Sequence, residues 1–461
     1  MEKIDTKVRK RSKKDIPGWG YKLFKAYVRF VFQGLYNRKT YVLNRENIPE
    51  KGALMIVSNH QNSLNDALAL VLAVGERGGR KVRAITRADA FKPVIGKLFR
   101  WIGLLPAFRM QYDGAETLSN NTHSFSDASE EILNDGTVII YPEAGHQDKH
   151  WLGTFTYGYL KILFDAAEAS GFEKEIYLLP SCNHYEDYLG VQTDMLIRFG
   201  EPIALSPFYA LYQTKPRTAQ RQVNALVREQ ISQMMLNITD LENYDTIDYI
   251  RNSYGVNYAR REGLDPDYLP DKLEADKRLF AKLDAKKQAG VEEADRVYEK
   301  AAILDKSFRK LDLPDDCFEQ KPTFGKILIK GLLLLLLSPL ALLALIPNFL
   351  VFFAPEWINK KIKDLMFHGT IRVILSALVT IPLACIGLLI GVWVIWGSFP
   401  LALLSIVSLP ILYIFVVYYN KVYQRTIREY YFWNLWRRKL LTDVERDRRV
   451  VHGMIDKLLY N

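Results

Sequence analysis

The chain has 461 residues, 49% of them hydrophobic and 25% charged, with a formal net charge of +10. Its three cysteines, Cys182, Cys317 and Cys385, lie far apart, which excludes a disulfide framework and fits a reducing compartment. The positive charge gathers at the two ends and beside long apolar runs, and no zinc-finger or other nucleic-acid module accompanies it. A membrane surface, and no nucleic acid, is therefore the expected partner.

Met1 to Lys14 is rich in Lys and Arg, and no apolar stretch with a small-residue cleavage site follows, so no secretory signal is expected. From Trp19 to Lys39, Lys22, Lys25 and Arg29 recur at helical spacing on one face, while Phe24, Tyr27, Val28, Val31 and Leu35 cover another. The pattern predicts an amphipathic helix, either interfacial or packed on a soluble core, and residues 1–39 read as a basic amino-terminal region.

Ala53 to Val57 reads as a buried strand that ends on Ser58-Asn59-His60-Gln61-Asn62-Ser63-Leu64-Asn65-Asp66, and Leu68 to Ala73 reads as the start of a helix. A strand-to-helix corner is where polar side chains reach a cleft. Imidazole exchanges protons near neutral pH, and a nearby carboxylate fixes its tautomer and stabilises its charged form. His60 is thus a candidate general base and Asp66 its orienting partner; an isolated strand-end histidine has hydrogen-bonded packing as its plain alternative.

Three segments follow in order: Gly103-Leu104-Leu105-Pro106-Ala107-Phe108-Arg109, Tyr141-Pro142-Glu143-Ala144-Gly145-His146 and Leu178-Leu179-Pro180-Ser181. With the His60 block they resemble the four blocks of the glycerolipid acyltransferase family, the phosphatidate-forming enzymes, over roughly Glu46 to Ile203. The resemblance implies an α/β acyltransferase domain with a mixed sheet, placed at residues 40–264. It implies that His60 takes the proton of an acceptor hydroxyl and that Asp66 holds the ring, with no covalent acyl-enzyme and no cofactor. Arg109 would clamp the acceptor phosphate, since a guanidinium pairs with two phosphate oxygens at once. Asn59, Gly103, Pro106, Pro142, Glu143, Gly145 and His146 would complete the substrate-binding set. The implied donor is acyl-CoA or acyl carrier protein, and the acceptor is glycerol 3-phosphate or 1-acylglycerol 3-phosphate.

Two departures from the family pattern bear on these assignments. The usual spacing is His, four residues, then Asp; here Asn65 fills that slot and the carboxylate follows at Asp66. Asparagine orients an imidazole but cannot neutralise an imidazolium, which assigns the partner role to Asp66. The third block, commonly Phe-Pro-Glu-Gly-Thr-Arg, lacks its arginine, which shifts phosphate binding toward Arg109, with His146 or Lys149 assisting. An acyltransferase acting on a non-phosphorylated amino-acid lipid, or a non-catalytic lipid-binding scaffold, are the competing readings. His146, Asp148 and His150 also suggest a metal site, but no upstream Cys or His cluster supports one and none is assigned.

Residues 265–322 are dense in both charges. Leu273, Leu279, Phe280 and Leu283, then Val291, Ala294 and Val297, predict one or two solvated, loosely packed helices interrupted at Gly290. Pro322-Thr323 marks a boundary, with Thr323 able to cap the next helix. In the membrane module, 323–420, the runs Ile327 to Phe353, Ile371 to Trp396 and Phe399 to Tyr419 are each long enough to span ~30 Å of hydrocarbon. Lys360, Lys361, Lys363 and Arg372 precede the second run, and Lys421, Arg425, Arg428, Arg437, Arg438 and Lys439 follow the third. The positive-inside rule makes the last two runs a hairpin with cytoplasmic flanks and residues 421–461 a basic cytoplasmic tail. A cytoplasmic catalytic domain then prevents the first run from crossing once, and Pro339 and Pro347 suggest a bent, re-entrant or in-plane pair of half-helices. The expected location is the cell membrane, multi-pass, with the catalytic domain on the cytoplasmic side.

Overall fold

The computed structural model describes residues 18–75, 82–87, 95–107, 119–143, 145, 149–313 and 315–460. It divides into two compact units, Met1–Met235 with Ile358–Ile374, and Leu236–Trp357 with Leu375–Asn461.

In the first unit, helix α1 (Trp19–Arg29) buries none of its residues. It continues into a π-helical turn, Phe30–Tyr36, that buries Val31, Phe32, Leu35 and Tyr36. Helical spacing stops at Tyr36. Strand β1 (Asn37–Leu43) follows where the amphipathic pattern seemed to run on to Lys39. The other strands are β2 (Ala53–Ser58), β3 (Val82–Arg87), β4 (Leu104–Ala107), β5 (Thr137–Ile140), β6 (Ile176–Tyr185), β7 (Thr193–Phe199) and β8 (Ile203–Ala204). They form one sheet in the order β1-β7-β6-β2-β5-β3-β4, with β8 also pairing β6. All pairs are parallel except β6 with β7 and with β8, so the sheet is mixed, as expected.

Strand β2 is central, lies parallel to both neighbours and is wholly buried, which explains its unbroken apolar sequence. Its side chains alternate between two apolar layers. Ala53, Met55 and Val57 face a layer that includes Tyr159, Leu163, Val223 and Ile231; Leu54 and Ile56 face another with Phe32, Tyr36, Leu70 and Val74. Leu70 and Val74 belong to helix α2 (Leu64–Val74), which leaves the carboxyl end of β2 after a short polar turn. Val373, from the helix that begins at Met366, joins the second layer.

In the second unit, helices Tyr244–Arg261, Leu269–Gln288 and Glu292–Leu311 pack with one another and with the last helix, Thr442–Tyr460. Gly290, at φ +69°, separates the middle pair at the expected break. The connector is not a loose pair of solvated helices. It buries Leu273, Leu279, Leu283, Val297, Tyr298 and Phe308, and the carboxyl-terminal helix adds Val451, Ile455 and Leu458. The apolar positions looked sparse because four helices share one core, so each needs only a narrow stripe.

Among the described residues, three helices are long and apolar enough to cross a membrane: Phe324–Asn359, Met366–Trp396 and Phe399–Arg437. Thr323 accepts a hydrogen bond from the Lys326 amide at 3.4 Å, the expected cap. Gly397, at φ +64°, and Ser398, which caps the Leu401 amide, make the break before the third helix. The first is one uninterrupted helix of 36 residues with Pro339, Pro347 and Pro355 inside it, not a pair of half-helices. Proline removes one helical donor, and next to Pro339 the Ser338 hydroxyl donates to the Leu335 carbonyl at 2.8 Å, the carbonyl that proline leaves unpaired. The first and third helices lie together within this unit. Lys330 pairs with Glu429 at 2.7 Å, and Phe352 stacks on Tyr413.

Candidate active site

The polar turn between β2 and α2 is built around one carboxylate. Asp66, in the first turn of α2, has no exposed surface. Its Oδ2 accepts hydrogen bonds from His60 Nδ1 and from the backbone amides of Gln61 and Asn62, each at 2.8 Å, and its Oδ1 accepts from the Tyr185 hydroxyl at 2.6 Å. Four donors compensate the removal of this group from water. Ser63 stands at φ +48°, a left-handed turn that folds the chain back so that the helix carboxylate meets residues 60 to 62. Since the carboxylate accepts, Nδ1 of His60 is assigned the proton, and Nε2 is the nitrogen suited to take one from a substrate.

His60 is held from two further sides. Its ring stacks on Tyr141, centroids 4.2 Å apart and planes at 19°. Its backbone amide donates to Glu143 Oε1 at 2.9 Å, and Glu143 Oε2 accepts from the Gly153 amide at 2.7 Å. Burial pushes the Glu143 carboxyl up to about 7, against the pull of those two amides. Burial also keeps the Tyr141 and Tyr185 phenols well above their usual range, so Tyr185 remains a neutral donor to Asp66. The imidazole side chain is 19% exposed and the acid behind it 0%, a base at the surface backed by a sealed partner.

The other expected residues divide. Asn59 was expected to touch substrate, but it is wholly buried. Its Oδ1 accepts from the Asn183 amide at 2.8 Å and its Nδ2 donates to the Asn183 carbonyl at 3.0 Å, tying the turn to β6. Gly103 stands at φ +100°, and a Cβ there would lie 2.7 Å from the Val82 carbonyl oxygen, so backbone packing alone requires glycine. Pro106 is half-buried in β4, next to β3. Pro142 is buried, and its carbonyl accepts from the Thr156 amide and hydroxyl. Glu143 adjoins His60, and Gly145 has open space where a side chain would be. Arg109 and His146 lie outside the described residues, as does Asp148. His150 is buried, its Nδ1 3.1 Å from the Tyr188 hydroxyl; among the described residues no group of three candidate ligands could hold a metal ion. Cys182 is buried, with its thiol toward the Asn183 carbonyl, in keeping with a small hydrophobe.

Sequence reading missed a second circle. The Tyr188 hydroxyl donates to Gln61 Oε1 at 2.9 Å, Gln61 Nε2 donates to the Lys149 carbonyl, and Asn62 Nδ2 donates to the Tyr188 carbonyl. A polar run at the end of an otherwise apolar strand, Asn183-His184-Tyr185, was the available signal for Tyr185.

An imidazole whose Nδ1 meets a sealed carboxylate, at the carboxyl end of a central strand, is an arrangement suited to general-base chemistry. Residues 39–183 match the family model described as Acyltransferase. The match makes residues 39–183 an acyltransferase domain and the chain an acyltransferase enzyme. Among solved structures, the chain is similar to the 1-acyl-sn-glycerophosphate (LPA) acyltransferase PlsC from Thermotoga maritima. That match has 17% identity and a TM-score of 0.35, and covers 48% of this chain and 84% of that one. No curated protein matches.

Proposed function

We propose that this chain is a membrane-bound O-acyltransferase of phospholipid synthesis, moving a fatty acyl group from acyl-CoA or acyl carrier protein to glycerol 3-phosphate or 1-acylglycerol 3-phosphate. The observation that carries this reading is the 2.8 Å bond between His60 Nδ1 and Asp66 Oδ2. His60 Nε2 takes the acceptor hydroxyl proton as that oxygen attacks the thioester carbonyl; the tetrahedral species collapses with loss of the C–S bond, and the imidazolium returns the proton to the departing thiolate. The products are an ester and a free thiol. Asp66 stabilises the imidazolium, Glu143 fixes the backbone that carries the ring, and Arg109 pairs with the acceptor phosphate.

The three long apolar helices support membrane insertion, with the hairpin around Gly397 crossing twice and its basic flanks in the cytoplasm. Connectivity supports an in-plane course for Phe324–Asn359. Residues 358–374 are part of the acyltransferase unit, and among the described residues from 236 to 323 no candidate span occurs, so one full crossing would leave the chain on the wrong side.

The test is acyl transfer by purified protein in lipid vesicles, with acyl-CoA or acyl carrier protein as donor. Phosphorylated glycerol acceptors should be esterified and His60→Ala should lower turnover by ~100-fold or more. Esterification of an amino-acid lipid alone would favour the second reading, which the missing third-block arginine keeps in play. No transfer to either class, with a cellular role that survives His60→Ala, would make the chain a lipid-binding scaffold.

A further inference from the structure

Helix α2 begins without a cap of its own. The first turn of a helix leaves backbone amides unpaired, and a side chain at the preceding residue normally accepts one of them. Ser63 occupies that place, at φ +48°, and its side chain makes no capping bond. The acceptor comes from 306 residues further along: the buried Thr370 hydroxyl takes the Leu64 amide at 3.1 Å.

A second, independent contact lies one residue earlier. Gly369 is buried against the same turn, and a Cβ there would sit 2.7 Å from the Tyr36 hydroxyl, 2.8 Å from Asn65 Nδ2 and 3.1 Å from Asn62 Oδ1. Those groups form one layer, since Asn65 Nδ2 donates to Asn62 Oδ1, and the Asn62 backbone amide is one of the donors to Asp66. Arg372 donates to the Leu189 carbonyl and Val373 enters the apolar layer under α2, which pins the helix just after Thr370.

We propose that Gly369 and Thr370 are positioning residues for the His60–Asp66 pair: the start of the second long apolar helix serves as the missing cap of α2 and closes the polar layer that holds Asp66 in place. This rests on the proposed acyl transfer for its catalytic consequence, but not for its structural one. Thr370→Val keeps the shape and removes the acceptor; Thr370→Ser restores it. Gly369→Ala forces the Asn62, Asn65 and Tyr36 layer apart while leaving the cap.

The experiment uses the full chain in detergent micelles with two readouts. In hydrogen exchange, amides of residues 60–66 should exchange faster in Thr370→Val and Gly369→Ala than in wild type, and Thr370→Ser should match wild type. In acyl transfer, Thr370→Val should lower kcat roughly 10- to 100-fold, with KM for donor and acceptor unchanged and turnover recovered in Thr370→Ser. Unchanged exchange over 60–66 in both the valine and alanine variants overturns the inference, as does equal kcat for Thr370→Val and wild type. If wild type transfers no acyl group to any acceptor, the proposed function fails, and the exchange readout alone decides the inference. Should Thr370→Val not fold, Gly369→Ala carries both readouts.

Discussion

Asp66 Oδ2 lies 2.8 Å from His60 Nδ1, and the same oxygen gathers the amides of Gln61 and Asn62. The acid therefore does two things at once: it sets the tautomer of the imidazole, and it fixes the turn that carries the ring. Asn65, at the spacing where a carboxylate was expected, instead turns to Asn62 and lies 3.3 Å from its Oδ1. Asp66→Asn replaces one acceptor by a donor amid four donors, and cannot stabilise an imidazolium. It should lower kcat by ~100-fold or more, close to the loss in His60→Ala, with KM little changed. Asn65→Ala should cost far less. Steady-state rates of the three variants check this, and a reversed ranking of Asn65 and Asp66 would reassign the partner.

Arg109 is proposed to read the acceptor phosphate through two parallel N–H···O bonds, a geometry lysine does not reproduce. Arg109→Ala should raise KM for a phosphorylated acceptor by ~10-fold or more and leave KM for the thioester donor near wild type. Arg109→Lys should recover only part of the loss. Equal effects on donor and acceptor would make the arginine structural.

How much of this site was legible depended on the range over which each residue acts. The β2 strand, the polar turn and α2 are contiguous, so apolar runs around a polar cluster disclosed the corner and both members of the pair. Gly103 and Pro142 were found as block members, yet their contacts show backbone reasons for both, close approach to Val82 and acceptance from Thr156. Asn59 was misjudged because a polar residue beside a base looks exposed in sequence, whereas its amide pairs with a strand that arrives 124 residues later. Tyr185 and Tyr188 reach the site through the antiparallel return of β6 to β7, which no local period encodes. Thr370 was hidden most deeply, inside a stretch whose composition spoke only of membrane.

Glu143 gives the site a pH signature. Its folded-state value, pushed up to about 7, lies above the 4.5 of an unperturbed carboxyl, so the folded protein holds a proton that the unfolded chain has released between those limits. The favourable contribution of the neutral group is fully present below about pH 4.5 and is lost as pH rises through about 7. Wild type should therefore lose stability relative to Glu143→Gln across that window, read as the difference between their unfolding temperatures in detergent from pH 4.5 to 8. A difference that does not vary with pH would remove the assignment to Glu143.

In the second unit, Arg448 joins the last helix to the connector. Its guanidinium donates from Nη2 and Nε to Asp315 at 2.6 and 3.1 Å, and Nη2 also reaches Glu319 at 3.2 Å. Burial raises the Asp315 carboxyl while Arg448 draws it back, so the acid relies on that one cation to stay charged at low cost. Removing one member of a buried pair leaves the other desolvated and uncompensated, a loss of roughly 3 kcal/mol. Arg448→Ala should destabilise by about that amount, whereas Arg448→Met with Asp315→Asn should recover much of it, because the double change leaves no buried charge unpaired. Chemical unfolding followed by the fluorescence of Trp433 and Trp436 measures both variants, and a single-variant loss below about 1 kcal/mol would make the pair a solvated surface contact.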